Sequence, residues 1–466
     1  MGFNAIGPPL SRQVAFNRPV NCMYSDYTEE IGRFKAGTNG GRAISIDRAV
    51  DILDLVDGER YASHGYPHET WAWLRRNEPV AWCEPDGWRP FWAITKYEDV
   101  RTISTDPATF SSEPRNMLTP IVDEERLAAA FPGSRPGGFP LRLLVNMDPP
   151  DHRAFRGVAA PYFFPKYLRG LEEKLVSITD DLLDDLSGER TFDAVEDLAA
   201  WHPLRMICEI IGVGLEHEEL ILTVTQQAFG ASEPPEGVRN LAEIVGPMME
   251  LFGGLAAARR AEPQADLASV LANARIDGEA MSELDLLAYF LLIATAGHDT
   301  TRNAIAGGLL ALAEHPEQLH RLRNDIGLIP SAADEIVRWT SPVTHFIRTP
   351  LHDVEIRGQK VRAGDSLVLF YPSANRDEDV FEDPDVFRID RSPNPHLGFG
   401  FGEHFCLGAK LARMEIQVLL ERILPRLESL EAAGEPVYTP SAFVTGVKHV
   451  PLRWNLTASR PAIPTR

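Results

Sequence analysis

Residues 399–408 read FGFGEHFCLG. Glycines alternate with aromatics around the Glu403–His404 pair, and then a cysteine, Cys406, arrives. Glycine lets a backbone take positive φ or pass close to another group. The chain has four cysteines, Cys22, Cys83, Cys208 and Cys406, widely spaced and without a CxxC pair. That spacing argues against a disulfide framework or a zinc site and suits the cytoplasm. Taken alone, Cys406 is an apolar filler, a nucleophile or a metal ligand, and filler is the commonest fate of a free cysteine.

The rest of the chain narrows the choice. It has 466 residues and a formal net charge of -21. A chain this acidic is a poor non-specific binder of nucleic acid. No apolar run reaches the ~20 residues of a membrane span, and the N-terminus lacks the apolar core of a secretory leader. Residues 1–45 are irregular and rich in Gly, Pro and Asn, which predicts an N-terminal arm. Residues 46–458 read as one domain and 459–466 as a disordered tail. FWAITKYEDV (91–100) predicts a strand running into a helix. The stretch 113–141 is proline-rich around a short helical piece, DEERLAAAF, and a surface loop of that length is usually functional or disordered. From Asp148 to about residue 340 the pattern is mostly helical, with a break at SEPPEG (232–237). Residues 343–370 predict short strands turning at Gly358 and Gly364, and 441–455 predicts a hairpin. The fold class is mainly α with a small β region (α+β).

Residues 282–314 predict one long helix. Ser282 with Asp285 makes a capping start, and His315-Pro316 ends it. The helix is apolar nearly all round, which marks a buried helix. Its centre, AGHDTT, breaks that pattern. Gly297, Thr300 and Thr301 share one face by i, i+3 and i+4 spacing. His298 points elsewhere, as a packed or partly exposed histidine and not a metal ligand. Polar groups inside a buried helix need partners or a purpose. Further on, DEIVRW (334–339) sets Glu335 and Arg338 one turn apart.

In this order and spacing the chain resembles the cytochrome P450 haem-thiolate monooxygenases, from about residue 70 to 455. The signals are a buried acid-alcohol helix, then Glu-x-x-Arg, then Phe-Gly-x-Gly-x-His-x-Cys-Leu-Gly. YPSANRDEDVF and HLGFGFGEHFCLG look most like bacterial, ferredoxin-dependent members that oxidise monoterpenes such as terpineol or camphor. The resemblance implies the cytochrome P450 fold, with haem b between the long helix and the cysteine loop. It implies Cys406 as the iron ligand, a ligation with known consequences for oxygen activation. It carries over His152, Arg156, Arg348 and His404 as haem-propionate partners, with Phe399 beside the sulfur and Ala296 at the cofactor. Glu335 and Arg338 become a buried structural pair, joined by Arg391 or a neighbour.

The same resemblance implies that Asp299 relays protons, Thr300 holds the activated oxygen by a hydrogen bond, and Gly297 leaves room for O₂. A substrate pocket is expected from Leu292, Thr295, Ala296, Val343, Thr344, Phe346, Phe443 and Val444. Thr295, Thr344 or His345 is expected to offer a hydrogen bond, and the segments 113–141 and 232–237 to close the pocket. Electrons are expected from a 2Fe–2S ferredoxin served by an NAD(P)H ferredoxin reductase, with Arg153, Arg156, Lys410 and Arg413 as a basic patch. The implied reaction hydroxylates an apolar substrate (a terpene, an alkyl-aromatic or a steroid-like molecule) with O₂. The alternatives that keep the haem are a peroxygenase, an isomerase and a ligand-binding sensor. An intact Asp299–Thr300 pair favours the monooxygenase.

Overall fold

The structure is a computed structural model that describes residues 50–113, 115–130, 141–228 and 241–460. The expected arm (1–45), residues 131–140 of the proline-rich segment, the break at 232–237 and the last six residues lie outside the described residues.

The expected long helix runs unbroken over Glu283–Glu314. Ser282 caps it, accepting from the Asp285 N–H, and His315 closes it. Pro316 starts the next helix. Around this central helix pack the helices Asp151–Ala159, Pro165–Asp185, Trp201–Ile211, Ile329–Thr340 and Ala409–Ile423. Its C-terminal half sits in a core with Ile336, Phe387, Leu420 and Trp454. Its N-terminal half packs with Met248, Phe252 and Ile207. Gly308 makes one close crossing possible, because a Cβ there would lie 2.8 Å from Ile336 Cγ2. No helix among the described residues is long and apolar enough to cross a membrane.

A five-stranded sheet covers one end. Its order is Val80–Cys83, Phe91–Ile94, Leu367–Phe370, His345–Pro350 and Phe110–Ser111. The strand His345–Pro350 decides which side chains reach the site. Successive residues on a strand point to opposite faces. Phe346 and Arg348 therefore face the interior cavity, while Ile347 joins the core behind the sheet with Val368 and Phe370.

The expected hairpin at 441–455 is not one. Val447–His449 pairs with Val437–Tyr438, and Pro451–Leu456 pairs with Leu427–Ala432 and Gly188–Asp193. Only Val450 separates the two strands, too short a link to reverse the chain, so each finds a different partner.

Candidate active site

The cysteine loop is held by its own backbone. Gly400 and Gly402 sit at φ 69° and 71°, where L side chains are strained. A Cβ on Gly402 would also run into the Ser104 carbonyl. The Cys406 N–H donates to the Phe399 carbonyl at 2.8 Å, which closes the loop. Immediately afterwards the helix Ala409–Ile423 begins. Burial pushes the Cys406 thiol up, against the pull of the Gly408 and Ala409 N–H groups and the charges of Arg156 and Arg413. The side chain lies deep in the molecule yet is accessible, because it opens onto a cavity. Phe399 stands beside it, with the Arg413 guanidinium 4.5 Å above its ring.

The central helix forms the opposite wall of that cavity. Leu292, Ala296, Gly297 and Thr300 all line it. Ala296 is exposed in the middle of an otherwise buried helix, which marks where the helix meets open space. The Thr300 hydroxyl donates to the Ala296 carbonyl at 2.8 Å. Its proton is committed there, so its lone pairs are what it offers to the cavity.

Asp299 is placed differently. It is 1% exposed, off the cavity wall, and bound to Arg302 one turn on at 2.8 Å. The helical i, i+3 spacing that brings Thr300 to the cavity turns its neighbour towards Arg302. Thr301 lies beside Glu415, a carboxyl on the Ala409–Ile423 helix. Burial pushes Glu415 up to about 8, against the lowering pull of Thr301, and its Oε2 has no hydrogen-bond partner among the described residues. Glu415 also lines the cavity.

At the cavity edge four nitrogen-bearing side chains converge: His152, Arg156, Arg348 and His404. The rings of His152 and His404 lie 4.2 Å apart. Burial and the neighbouring Arg348 push His404 down to about 2. Burial, then Arg156, lowers His152 as well. Both are therefore neutral, and the positive charge comes from the two arginines. Both ring nitrogens of His152 are buried without a hydrogen-bond partner among the described residues. Arg348 is buried; among the described residues it donates only to its neighbouring Ile347 carbonyl and makes no ion pair. Arg156 donates to the Phe405 carbonyl at 2.6 Å. His404 shares a hydrogen bond with Ser112 at 3.1 Å. Glu403 approaches His152 at 3.7 Å but is held by Arg153.

Glu335 and Arg338 form a fully buried pair joined by two hydrogen bonds of 2.8 Å. Arg391 joins them at 3.0 Å. The Arg388 N–H and Asn394 also donate to the Glu335 carboxylate, while Arg338 donates to the carbonyls of Asn375 and Pro384. The network ties the Ile329–Thr340 helix to the chain leading into the cysteine loop.

Several expected pocket residues stand behind the wall instead of on it. Thr295 is buried and bonds back to the Leu291 carbonyl. Thr344 is held by the carbonyls of Ala442 and Phe443. His345 accepts from the Leu118 N–H. Val444 is buried and bridges Val343, and the Phe443 ring backs Phe346 at 5.5 Å. Val343 and Phe346 line the cavity while Thr344 and His345 do not; strand alternation places Phe346 with Arg348 and against His345, and Val343 precedes the strand. The expected hydrogen-bonding handles are thus already used by the protein. The cavity gains Leu144, Phe163, Ile207, Tyr289 and Glu415 instead. These come from five separate elements, and no local spacing links them. The expected basic patch is largely committed too: Arg153 to Glu403, Arg156 to Phe405 and Arg413 to Asp334. Lys410 stays exposed.

The donor set suits a flat, apolar cofactor with a metal at its centre and carboxylates on its rim. A thiol faces an apolar slot, and at the rim stand unpartnered buried imidazole nitrogens and two guanidinium groups. Arg binds carboxylates through its planar fork. Comparison with known proteins reaches the same point. The cytochrome P450 family profile matches residues 254–450. The chain is 39% identical over 411 residues to cytochrome P450-terp of a Pseudomonas species, covering 84% of this chain and 95% of that one. It is 33% identical to linalool 8-monooxygenase of Pseudomonas putida, covering 85% and 97%. The crystal structure of CYP108D1 from Novosphingobium aromaticivorans superposes with a TM-score of 0.80 at 39% identity, covering 87% of this chain and 98% of that one.

The chain belongs to the cytochrome P450 family. It is a P450 monooxygenase of the bacterial kind that resembles terpene hydroxylases, and its cofactor is haem b.

Proposed function

We propose that Cys406 ligates the haem iron and that the enzyme hydroxylates a small to medium apolar substrate, with a terpene as the first class to test. The observation that carries this reading is the cavity itself. A loop cysteine cradled by backbone N–H groups faces Thr300 across an apolar slot edged by His152, Arg156, Arg348 and His404. When bound, haem supplies the insertion of one atom of O₂ into a C–H bond, with the other atom leaving as water and two electrons consumed.

The residues divide the remaining work. The Gly408 and Ala409 N–H groups stabilise sulfur as a thiolate, and donors around a ligand tune its electronics. Arg156 and Arg348 neutralise the propionates while His152 donates to them from a buried position. Thr300 accepts a hydrogen bond from any proton-bearing group at the cavity centre and holds it next to Gly297. Asp299 exchanges protons when its link to Arg302 opens. Leu292, Val343 and Phe346 exclude water and orient the substrate by shape. Thr295, Thr344 and His345 are turned away and bonded within the protein, and Leu292, Val343, Phe346 and Ile207 line the cavity, which supports a hydrocarbon-rich substrate. The relative named for linalool points to the same class.

A 2Fe–2S ferredoxin with its NAD(P)H reductase completes the system. The exposed Lys410 and the apolar Phe405, 39% exposed beside the cysteine, offer it a contact face. A cytoplasmic setting fits the unpaired Cys83, Cys208 and Cys406. The test is turnover of a panel of monoterpenes, alkyl-aromatics and steroids with ferredoxin, reductase and NADH, followed by mass spectrometry. Hydroxylated product carrying label from ¹⁸O₂ is expected. Product formed only from added peroxide, with none from NADH and O₂, would mean a peroxygenase.

A further inference from the structure

Gly297 was expected to leave open room at the oxygen site, but its missing side chain is already replaced. A Cβ built on Gly297 would lie 3.0 Å from Ile207 Cδ1 and 3.2 Å from Ile207 Cγ1, and the three nearest atoms all belong to Ile207. Ile207 is 2% exposed and lines the same cavity as Gly297 and Thr300. It comes from the helix Trp201–Ile211, ninety residues earlier in the chain.

Two hydrogen bonds fix the register of that helix against its neighbours. His298, the residue after Gly297, donates from Nε2 to the Ala200 carbonyl at 3.0 Å, at the helix entrance. Burial pushes His298 down to about 4, so it stays neutral and keeps this tautomer. His202 in the first turn meets Thr179 at 3.0 Å, and burial pushes it down to about 3. Ala200 and Ile207 are seven residues apart, two helical turns, and so lie on one face. The bond at Ala200 therefore sets the position of Ile207 over Gly297.

We propose that Ile207 is a specificity-determining residue whose δ-methyl is the fixed wall of the recess beside Gly297 and Thr300, so that the Ile207–Gly297 pair sets how deeply a substrate seats. The inference rests on the reading of this cavity as the haem and substrate site. Its physical basis is close packing. An interior side chain pressed against a glycine leaves no slack, and an added methyl must displace it. In an apolar pocket, one methylene is worth roughly 10-fold or more in discrimination.

The test is a double-mutant cycle on the haem-loaded enzyme: Gly297→Ala, Ile207→Ala, both together, and Ile207→Phe alone. Each variant is first checked for the red-shifted Soret band of its reduced carbon monoxide complex. Two readouts follow: the infrared stretching frequency of bound carbon monoxide, and spectral Kd values for apolar cyclic substrates of increasing bulk. Gly297→Ala is expected to weaken binding roughly 10-fold and shift the stretch. Adding Ile207→Ala is expected to restore both. Ile207→Ala alone should favour bulkier substrates, and Ile207→Phe should disfavour them. If Gly297→Ala loses haem, the two single Ile207 variants decide the matter. Effects that simply add in the cycle, or Ile207 variants with unchanged preference and stretch, overturn the inference while the Soret band still supports the site. A wild-type protein without that band overturns the site reading and this inference with it.

Discussion

The two walls of the cavity are built on different principles. The cysteine side is polar and directional. Its loop closes through the Cys406–Phe399 hydrogen bond and two positive-φ glycines, and behind it the Glu335–Arg338–Arg391 network is almost wholly buried. The substrate side is assembled from single apolar side chains of several elements, such as Leu144, Ile207, Leu292 and Phe346, with few directional bonds among them. A hydrogen-bonded network fails when one member is lost. A wall of dispersion contacts changes by degrees. The cofactor side should therefore respond in an all-or-none way and the substrate side in graded steps.

The largest effect is expected at Glu335. Glu335→Gln keeps the shape but leaves Arg338 and Arg391 buried beside a neutral amide. Breaking a buried pair costs about 3–5 kcal/mol, so the urea midpoint should fall sharply and haem content with it. A variant with wild-type midpoint and haem content would remove the contrast between the walls. Next comes Arg348→Leu. A charge-assisted hydrogen bond contributes about 1.5–3 kcal/mol, so transfer of haem to apomyoglobin should speed up by roughly 10- to 100-fold. On the substrate side, Phe346→Ala should leave haem content intact and change the spectral Kd of a terpene by about 10-fold, as expected for shape alone.

The smallest effect tests a group that belongs to both walls. Glu415 stands on the helix after the cysteine yet lies beside Thr301 of the central helix. Its carboxyl, at about 8 in the folded protein, keeps a proton that the unfolded chain loses above its ordinary value of 4.5. The folded state thus binds more protons between about pH 5 and 8, and stability must fall as pH rises through that window. Glu415→Gln should flatten this slope and raise Tm at pH 8 by about 1 °C for each kcal/mol relieved, as the unfolding entropy of a chain this long dictates. An unchanged slope in thermal melts from pH 5 to 8 would show that Glu415 is ionised in the fold.

The same contrast decides what was legible in the sequence. Cys406, Gly402 and Glu335 act through contiguous or evenly spaced residues, and such patterns survive in one dimension. The central helix was legible for the same reason, from Ser282 at its cap to His315 at its end. Pocket residues act through space. Thr344 and Val343 are neighbours in sequence, yet Val343 faces the cavity while Thr344 is held by the carbonyls of Ala442 and Phe443, about a hundred residues on. Arg302 was readable in principle, one turn beyond Asp299, as a charged residue in a buried helix. Ile207 and Tyr289 carry no local mark, because an apolar residue on an apolar helix face looks the same whether it meets a core or a cavity.

The most direct measurement is the absorption spectrum of the purified protein, reduced and then exposed to carbon monoxide, alongside Cys406→His. The wild-type protein is expected to give the strongly red-shifted Soret band of thiolate-ligated haem, and the variant to lose that shift while still binding haem. A wild-type Soret band at the position of histidine-ligated haem, or a red-shifted band that persists in Cys406→His, would contradict the assignment of Cys406.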